Sequence, residues 1–371
     1  MKHIICFHLF NDYSGSPQVL KIVLEGLLKK GYQIDLITST GGALDELLYY
    51  KNLSKYSYPY RFSNNPIVTM LRYCMVQLYT FILTFRWLFY KDVAFYINTL
   101  LPVGPALAGR IMGKRVVYHY HENAFVKGTF YKVLATIMQK LAHEIICVSE
   151  YQASFLQQKK CVITIPNALP QNFVNRLTPN FKTAFERKTI LMLGSLKLYK
   201  SPLEFIELAK RLPQFVFVLV ISDTKENIDI FIEKYKINVY KNLTIYPRQN
   251  DVVPFYNQAS LVLNLSDKKQ VVETFGLTAL EAMSTGLPVI VPTEGGIAEM
   301  VVDGENGYKI DVQNLNQIAE CIKTILSDET LYMELAQNAL AYSKRFSEAK
   351  MVNSIETVSY THLRAHETRG N

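Results

Sequence analysis

The sequence predicts an α/β protein with two domains, each built on a parallel sheet of the nucleotide-binding, Rossmann-like type. Its 371 residues exceed what one hydrophobic core usually organises, since a domain typically takes roughly 100–200 residues. Residues 3–10 read as an apolar strand, 18–30 as an amphipathic helix ended by Gly31, and 32–38 as a second strand. This order is typical of a nucleotide-binding unit, whose ligands lie beyond the carboxyl ends of the strands.

Composition and charge exclude several classes of protein. A chain with 49% hydrophobic and 19% charged residues is globular rather than disordered. The net charge of +8 is uneven: residues 1–175 contain 18 Lys/Arg and 9 Asp/Glu, whereas 176–371 contain 22 and 23. We therefore expect an anionic partner for the first half alone. Its basic residues are dispersed without an aromatic-basic motif, which argues against nucleic-acid binding.

The cysteines and the N-terminus favour a cytoplasmic protein. Five scattered cysteines lack metal-ligand spacing, and an odd count fits a reducing compartment. The first ten residues read as a strand rather than a signal peptide. Peripheral attachment to the inner face of the cell membrane is the alternative location.

The segment 67–91 raises that alternative. Residues 67–90 form a very apolar helix, which is typical of a buried core element. Arg72, Arg86 and Lys91 lie along or just after it and favour a helix on an anionic membrane surface instead. The longest uncharged apolar run, residues 73–85, is too short to span a bilayer, which needs about 20 residues.

The rest of the first domain, residues 1–170, continues with strands. Residues 93–98 and 114–122 are strands separated by a short helix at 102–113, and the second ends in His121-Glu122. His119 shares a face with His121 by alternation, but its place further back along the strand fits a core histidine. Residues 144–150 and 162–167 supply the last strands. A polar, proline-bearing segment, 171–187, is predicted to be the interdomain linker.

The second domain, residues 188–345, is organised around residues 273–299. Leu277, Leu280 and Met283 give a short helix its apolar face, Gly286 suits the helix C-terminus, and 287–291 is a buried strand. Glu273 and Glu281 bracket the start of the helix. The first backbone amides of a helix lack intrahelical partners, so this start is predicted to bind an anion.

These residues resemble a known family. Glu-x7-Glu at a helix N-terminus resembles the donor-site motif of retaining glycosyltransferases with the GT-B fold. The closer resemblance is to glycosyltransferase family 4 (glycosyl transferases group 1). Its pattern E-x-F-G-x-x-x-x-E-A-M-x-x-G-x-P-V followed by G-G-x-x-E is present from Glu273 to Glu299. The resemblance covers residues 1 to about 357, and it implies two Rossmann-like domains facing a cleft.

The resemblance also implies roles. Glu281 would bind the ribose hydroxyls of a nucleotide sugar, and Glu273 hydroxyls of the donor sugar. The backbone amides of Phe275, Gly276 and Leu277 would face the diphosphate. In the first domain the resemblance assigns His121 to the transferred sugar, and His119, one pair earlier on the same face, is the alternative. It assigns Gly15 to the donor phosphates, although Gly15 could equally serve only a tight turn.

One motif departs from the family. Where family 4 has G-R-L-x-x-x-K-G, this chain keeps Gly194, Leu196 and Lys200 but has Ser195 for the arginine and Ser201 for the last glycine. A cation expected at the diphosphate is therefore missing. Lys197 either joins Lys200 in that role or is an ordinary solvated lysine.

The activity that the resemblance implies is retaining transfer of a hexose from a UDP- or GDP-linked sugar to a glycan or lipid-linked acceptor in bacterial surface polysaccharide synthesis. No other cofactor is expected, and with no DxD-type site no metal either. Front-face attack would need no enzyme nucleophile. Two alternatives stay open: a GT-B nucleotide-sugar epimerase, and a catalytically silent partner protein at the membrane. At the end of the chain, residues 346–357 are predicted to be a truncated crossover helix and 358–371 a non-native, adapter-like tail.

Overall fold

The computed structural model describes residues 2–63, 65–157 and 159–360, which form two compact units. The first unit comprises the described residues up to Ala168 together with those from Glu348 onward. The second unit is Leu169–Ser347. Each unit has its own parallel sheet, as the sequence predicts.

The described part of the first unit contains a seven-stranded parallel sheet in the order β3-β2-β1-β4-β5-β6-β7. Apolar runs form its centre, because both faces of a parallel sheet are covered by helices. In register, His3 of the first strand pairs with Gln33 on one side and with Val93 on the other. The strands are β1 (His3–Phe7), β2 (Gln33–Ser39), β3 (Leu53–Tyr58), β4 (Val93–Asn98), β5 (Arg115–Tyr120), β6 (Glu144–Cys147) and β7 (Val162–Thr164).

Helices connect these strands. Short 3-10 turns occur at Ala43–Leu47, Phe85–Trp87 and Lys159–Cys161. The first helix begins three residues earlier than expected, at Gly15, because Pro17 is tolerated in a first helical turn. The helices are α1 (Gly15–Lys29), α2 (Pro66–Thr84), α3 (Val103–Ile111), α4 (Thr129–Leu141) and α5 (Glu150–Ser154).

The second unit begins with two short helices, α6 (Gln171–Val174) and α7 (Phe181–Arg187). This corrects the predicted linker at 171–187. Asn180 caps α7 by accepting a hydrogen bond from the Thr183 amide at 3.1 Å, and the α7 residue Ala184 is buried. The Ala184 carbonyl also accepts a hydrogen bond from the Ser260 hydroxyl. These contacts attach the segment to the core of the second unit. Its polar composition gave no sign of this attachment.

In the second unit the described strands form a six-stranded parallel sheet in the order β10-β9-β8-β11-β12-β13. The strands are β8 (Thr189–Gly194), β9 (Val216–Ile221), β10 (Leu243–Tyr246), β11 (Leu261–Leu263), β12 (Val289–Val291) and β13 (Gly307–Lys309). The helices are α8 (Pro202–Arg211), α9 (Lys225–Lys234), α10 (Val253–Gln258), α11 (Leu277–Ser284), α12 (Gly296–Glu299), α13 (Leu315–Ser327) and α14 (Glu329–Ser343), with a 3-10 turn at Leu198–Lys200.

The strand order of the second sheet predicts where a ligand binds. After β8 the chain adds β9 and β10 on one side and then crosses to place β11 on the other. The loops that follow β8 and β11 therefore diverge, and the crevice between them is the usual ligand site of such sheets.

The last described helix, α15 (Glu348–Tyr360), packs on the first unit. A Cβ on Gly26 of α1 would lie 2.6 Å from the Val352 side chain, so the two helices are in close contact. The Tyr360 hydroxyl donates to the His3 carbonyl at 2.8 Å, and Val358 is buried. The helix therefore runs past 357, and 358–360 are part of it rather than of a tail. Residues 361–371 of that predicted tail lie outside the described residues.

Helix α2 is not the buried core helix that its composition suggests. Together with the following 3-10 turn it forms a 22-residue element, Pro66–Trp87, whose most apolar window is only 22% buried. By length and composition alone this longer element could cross a bilayer, although the uncharged run 73–85 within it is shorter than a bilayer requires. A row of buried side chains, among them Tyr73, Val76, Thr80 and Trp87, nevertheless holds it against the first unit.

Candidate functional site

The N-terminus of α11 depends on a glycine. Gly276 has φ +92°, a left-handed conformation that side chains rarely adopt. A Cβ there would also lie 2.4 Å from the side chain of Ile297. The helix then runs from Leu277 to Ser284, as its apolar spacing predicts, and Gly286 follows it at φ +73° beneath the ring of Phe181.

Glu273 lies in the loop before this helix, and its side chain is 20% exposed. It forms an ion pair with Lys200 and accepts a hydrogen bond from the Ser266 hydroxyl at 2.9 Å. Burial raises the pKa of Glu273, but the charge and hydrogen bond of Lys200 and the bond from Ser266 outweigh it, so the pKa lies below its usual value. Glu273 is therefore held as a carboxylate.

The Gly295-Gly296 pair fixes the backbone of Glu273. The Gly296 amide donates to the Glu273 carbonyl at 2.9 Å. Gly295 has φ +108°, and a Cβ on it would lie 2.4 Å from the same carbonyl oxygen. The pair thus lets two segments of backbone approach closely. Glu299, which closes this motif, lies exposed at the end of α12.

Glu281 is held by a different partner. The buried Tyr256 of α10 donates a hydrogen bond to the Glu281 carboxylate. Burial raises the pKa of Glu281 to about 7, although the bond from Tyr256 lowers it. The carboxylate thus stands near half-protonation at neutral pH, in contrast to Glu273.

The three backbone amides predicted to face a diphosphate lie at the start of α11. Phe275 is buried with its ring 5.8 Å from that of Phe346, which anchors the loop. Gly276 is the N-cap and Leu277 the first helical residue. By position these amides precede the first intrahelical hydrogen bonds, and the positive end of the helix dipole lies beside them.

The loop after β8 contains the remaining predicted donor residues. A Cβ on Gly194 would lie 4.0 Å from the Lys200 Cβ, so the two are neighbours. The Ser195 hydroxyl accepts a hydrogen bond from the Lys197 amide at 3.4 Å and so shapes a turn. Lys197 is exposed, which agrees better with a solvated lysine than with a fixed phosphate ligand.

A second cation near this loop has no counterpart in the sequence analysis. Arg248 follows β10, and its guanidinium donates to the Ser222 carbonyl at 3.1 Å, while its amide donates to the Asp223 carbonyl at 2.8 Å. The pKa of Asp223 is lowered, chiefly by a hydrogen bond from Asn227 and further by the charges of Arg248 and Lys197. Arg248 thus adds positive charge at the carboxyl ends of β9 and β10.

Two predicted residues belong to the first unit. Gly15 is the exposed first residue of α1, without a left-handed backbone and with nothing within 4 Å of a Cβ, so no tight turn requires it. His121 follows β5, and its Nε2 bonds to the Asn98 side-chain oxygen at 2.9 Å. Burial, His119 and His8 lower the pKa of His121, so its ring is neutral.

His119 is a core histidine, as its place further back along the strand predicts. It is fully buried, and its Nδ1 bonds to the Tyr96 hydroxyl at 2.6 Å. Burial lowers the pKa of His119 to about 3. Asn98, which the sequence analysis did not single out, also bonds through its Nδ2 to His8 Nδ1 at 3.0 Å and so links two histidines.

The structure therefore brings together Glu273, Lys200, Phe275, Gly276 and Leu277 beside the β8–β11 crevice. Glu281 lies further along α11. Ser266 and Tyr256 were missed as direct partners of the two glutamates. Tyr256 had a signal, since it is the tyrosine of the family-like segment D-x-x-x-x-Y-x-x-A at 251–259. Among the described residues, His, Cys, Asp and Glu form no group of three that could hold a metal ion.

Comparisons with known proteins bear on the family and the fold. Residues 177–342, which contain Lys200, Tyr256, Glu273 and Glu281, match the family model "Glycosyl transferases group 1". An uncharacterised glycosyltransferase of Haemophilus influenzae is 24% identical over 91% of this chain and 94% of its own length. An N-acetyl-alpha-D-glucosaminyl L-malate synthase of Bacillus anthracis is 30% identical, over 40% of this chain and 38% of its own.

Among solved structures, that of HepE from Anabaena in complex with UDP-glucose is similar, with a TM-score of 0.76 at 19% identity. The match covers 97% of this chain and all of that one. The two-domain α/β fold is thus the GT-B fold. The family model and the relatives support a glycosyltransferase of group 1.

Proposed function

We propose that this protein is a retaining glycosyltransferase that moves a hexose from a nucleotide-diphosphate sugar to a glycan or lipid-linked acceptor. The observation that carries the proposal is the contrast between two glutamates beside one helix N-terminus. Glu273 is kept ionised by Lys200 and Ser266, whereas Glu281 shares a hydrogen bond with Tyr256. We assign the first of these carboxylates to the donor sugar and the second to the ribose.

In this proposal Glu281 accepts hydrogen bonds from the ribose hydroxyls. A carboxylate can accept from two neighbouring hydroxyls at once, and such charge-assisted bonds are stronger than neutral ones. Glu273 accepts from hydroxyls of the transferred sugar. Its engagement with Lys200 and Ser266 suits a residue that orients the sugar, so attack comes from the acceptor and no enzyme nucleophile is assigned.

The departing diphosphate is stabilised by Lys200 and by the amides of Phe275, Gly276 and Leu277. Fixed donors aimed at a growing negative charge are worth more in a desolvated site than in water. Because Ser195 supplies no cation, the helix N-terminus carries a larger share of this charge, and we propose that the reaction needs no metal.

The donor nucleotide is UDP or GDP, and the comparisons favour UDP. The similar Anabaena structure holds UDP-glucose. The chain would work in the bacterial cytoplasm, at the inner face of the membrane, in the synthesis of surface polysaccharide.

The test is an assay of nucleotide release from a panel of UDP- and GDP-linked hexoses with glycan and polyprenyl-linked acceptors. We expect Glu281→Gln to weaken donor binding, and Glu273→Gln to lower turnover while binding is retained. The product should keep the anomeric configuration of the donor, and a chelator should have no effect. Wild-type kinetics for both variants would contradict the site.

Two alternatives give different results in the same assay. An epimerase would convert the isolated nucleotide sugar without an acceptor. A catalytically silent partner protein would neither bind nor turn over any donor. An inverted product would retain glycosyl transfer but contradict the retaining mechanism.

A further inference from the structure

The exposed side of α2 is a continuous apolar surface, defined here as the apolar face: Ile67, Leu71, Met75, Leu78 and Ile82. Each of these side chains is at least 60% exposed. At 3.6 residues per turn they fall within an arc of roughly 100° on one side of the helix. A stripe of this size on a water-soluble domain marks a surface that something else covers.

The opposite side of α2 is firmly attached to the first unit. The Tyr73 hydroxyl donates to the Leu101 carbonyl at 2.8 Å, and the Gln77 side-chain oxygen accepts from the Gly104 amide at 2.9 Å. A Cβ on Gly104 would lie 2.2 Å from the Gln77 carbonyl oxygen, so α3 packs tightly against α2. If α2 crossed a bilayer, these contacts would break. They therefore fit a helix that stays packed on the first unit.

The apolar face continues onto α3. Leu107 and Ile111 are exposed there, one helical turn apart. Between α2 and α3 lies a groove of about 440 Å³, whose lining includes Leu78, Phe81 and Leu107. Beyond the other end of the helix, Phe89 is 89% exposed. The exposed apolar surface is thus wider than one helix. The groove between α2 and α3 has room for a hydrocarbon chain.

The segment that contains this face is strongly basic. Between residues 61 and 143 the sequence contains ten Lys or Arg and only two Asp or Glu. Eight of the ten cations are exposed, whereas of the two acids only Asp92 is. Arg72 and Arg86 lie along one border of the apolar face. The excess of eight equals the net charge of the entire chain.

We propose that the apolar face and its basic border dock the protein on the surface of an anionic lipid bilayer. The apolar side chains enter the headgroup–acyl boundary while Arg72, Arg86 and neighbouring cations contact lipid phosphates, which is the arrangement of interfacial helices. A second copy of this chain is a poorer occupant, since pairing the same face with itself would bring two basic borders together. The inference does not depend on the proposed catalytic function.

Cys74 offers a direct probe. It is the exposed cysteine among five and lies in α2 at the edge of the apolar face, next to Met75. With Cys161→Ser and Cys321→Ser in the background, an environment-sensitive fluorophore on Cys74 should shift to the blue with phosphatidylglycerol-containing vesicles and be quenched by brominated acyl chains. Pure phosphatidylcholine vesicles should produce a much smaller change. No shift and no quenching with anionic vesicles would overturn the proposal.

Flotation of the unlabelled full chain with the same vesicles distinguishes the apolar contribution to membrane binding from the electrostatic one. Met75→Ser with Ile82→Ser should reduce binding at least about tenfold, because both side chains leave water on docking. Arg72→Gln with Lys91→Gln should reduce it about fivefold per charge. The matched controls lie in the second unit: Ile230→Ser, which removes an exposed apolar side chain, and Lys241→Gln should both bind like wild type.

Two further measurements distinguish other occupants. Binding should fall steeply at about 1 M salt, where the Debye length is roughly 3 Å. Retention after alkaline and high-salt extraction from cell membranes would instead indicate a spanning helix and overturn surface docking. A dimer in light scattering without lipid, abolished by Met75→Ser with Ile82→Ser, would assign the face to a second copy.

Discussion

Tyr256 donates a hydrogen bond to the carboxylate of Glu281, joining α10 to α11 across 25 positions of sequence. The tyrosine is buried and has no route to solvent, so this bond is its means of satisfying a polar hydroxyl. It also orients a carboxylate that burial would otherwise leave poorly solvated. Tyr256 is thus a positioning residue for Glu281.

The first prediction concerns this pair. Tyr256→Phe should weaken nucleotide binding by about 1–3 kcal/mol, since a hydrogen bond to a charged group is lost from a buried site. The variant should also need a higher pH for full binding, because the Tyr256 bond lowers the pKa of Glu281. Calorimetric titration with nucleotide across pH 5.5–8.5 (roughly the range that brackets a pKa near 7) measures both effects.

The control is Tyr332→Phe in the same unit. Its buried hydroxyl donates to the Ser260 carbonyl at 2.8 Å, far along the chain from Glu281. This variant should lose stability but keep nucleotide affinity and its pH dependence. Equal losses of affinity in both variants would mean that Tyr256 acts only through the core.

The second prediction concerns the two lysines after β8. Lys200→Gln should lower turnover by about 10²–10³, because the ion pair with Glu273 and a cation near the diphosphate are both lost. Lys197→Gln should change turnover by no more than about threefold, since an exposed lysine contributes little. Steady-state kinetics with the best donor measures the turnover of both variants. Similar losses in both would show that Lys197 shares the site.

The third prediction concerns the glycine that starts α11. Gly276→Ala should cost about 1–2 kcal/mol from its left-handed backbone and more from the contact with Ile297. Gly304→Ala should cost only the strain of the left-handed backbone. Gly304 has φ +76°, but nothing lies within 4 Å of a Cβ there. Thermal unfolding should therefore give Gly276→Ala a clearly lower melting temperature than Gly304→Ala.

Ile297 is itself buried, so the test compares Gly276→Ala in the wild type and in an Ile297→Ala background. Gly276→Ala should cost less in that background, because the close Cγ1 and Cδ1 atoms of Ile297 are gone while only its Cβ remains near. Donor affinity should fall in Gly276→Ala and stay normal in Gly304→Ala, because only the former distorts the helix N-terminus. Additive losses in the double variant would rule out the Ile297 contact as the cause.

The fourth prediction concerns acid stability of the first unit. Burial lowers the pKa of His8 to about 4 and of His119 to about 3, from an unfolded value of 6.5. Because the folded pKa is depressed, this stability is fully present above pH 6.5 and is lost as the pH falls toward 4. The loss is on the order of 3 kcal/mol for His8 alone.

Hydrogen exchange can follow both units at once. Amides of β1 and β5 should lose protection between pH 6.5 and 4, once rates are corrected for intrinsic pH effects. The second unit is an internal control for histidine, since residues 169–347 contain none. The raised pKa of its Glu281 should make that unit more stable as the pH falls, which is the opposite direction. His119→Gln should make the first unit less sensitive to pH in this window, whatever its absolute stability. An unchanged pH slope would contradict the assignment.

The sequence was a good guide wherever a local pattern decides the structure. The helix at Leu277–Ser284 follows from apolar spacing, and its glycines mark places where a side chain would not fit. The burial of His119 follows from its place within β5, further back along the strand than His121. Motif spacing singled out Glu273 and Lys200, and the structure pairs these two side chains.

It was a poor guide where partners come from elsewhere in the chain. The segment 171–187 reads as a linker because its own residues are polar, yet Ser260 and Tyr332 hold it in the second core. Helix α2 reads as buried because it is apolar on most sides. Composition cannot show that the first unit covers only one side of it.

The sequence by itself determined two parallel α/β units and the residue types of the candidate site. Only the tertiary structure decided which charges meet. It pairs Glu273 with Lys200 and Ser266, which come from loops after different strands. Glu281 instead accepts a hydrogen bond from Tyr256. A pKa depends on burial and on neighbours within a few ångströms, and these distances are set by folding rather than by sequence separation.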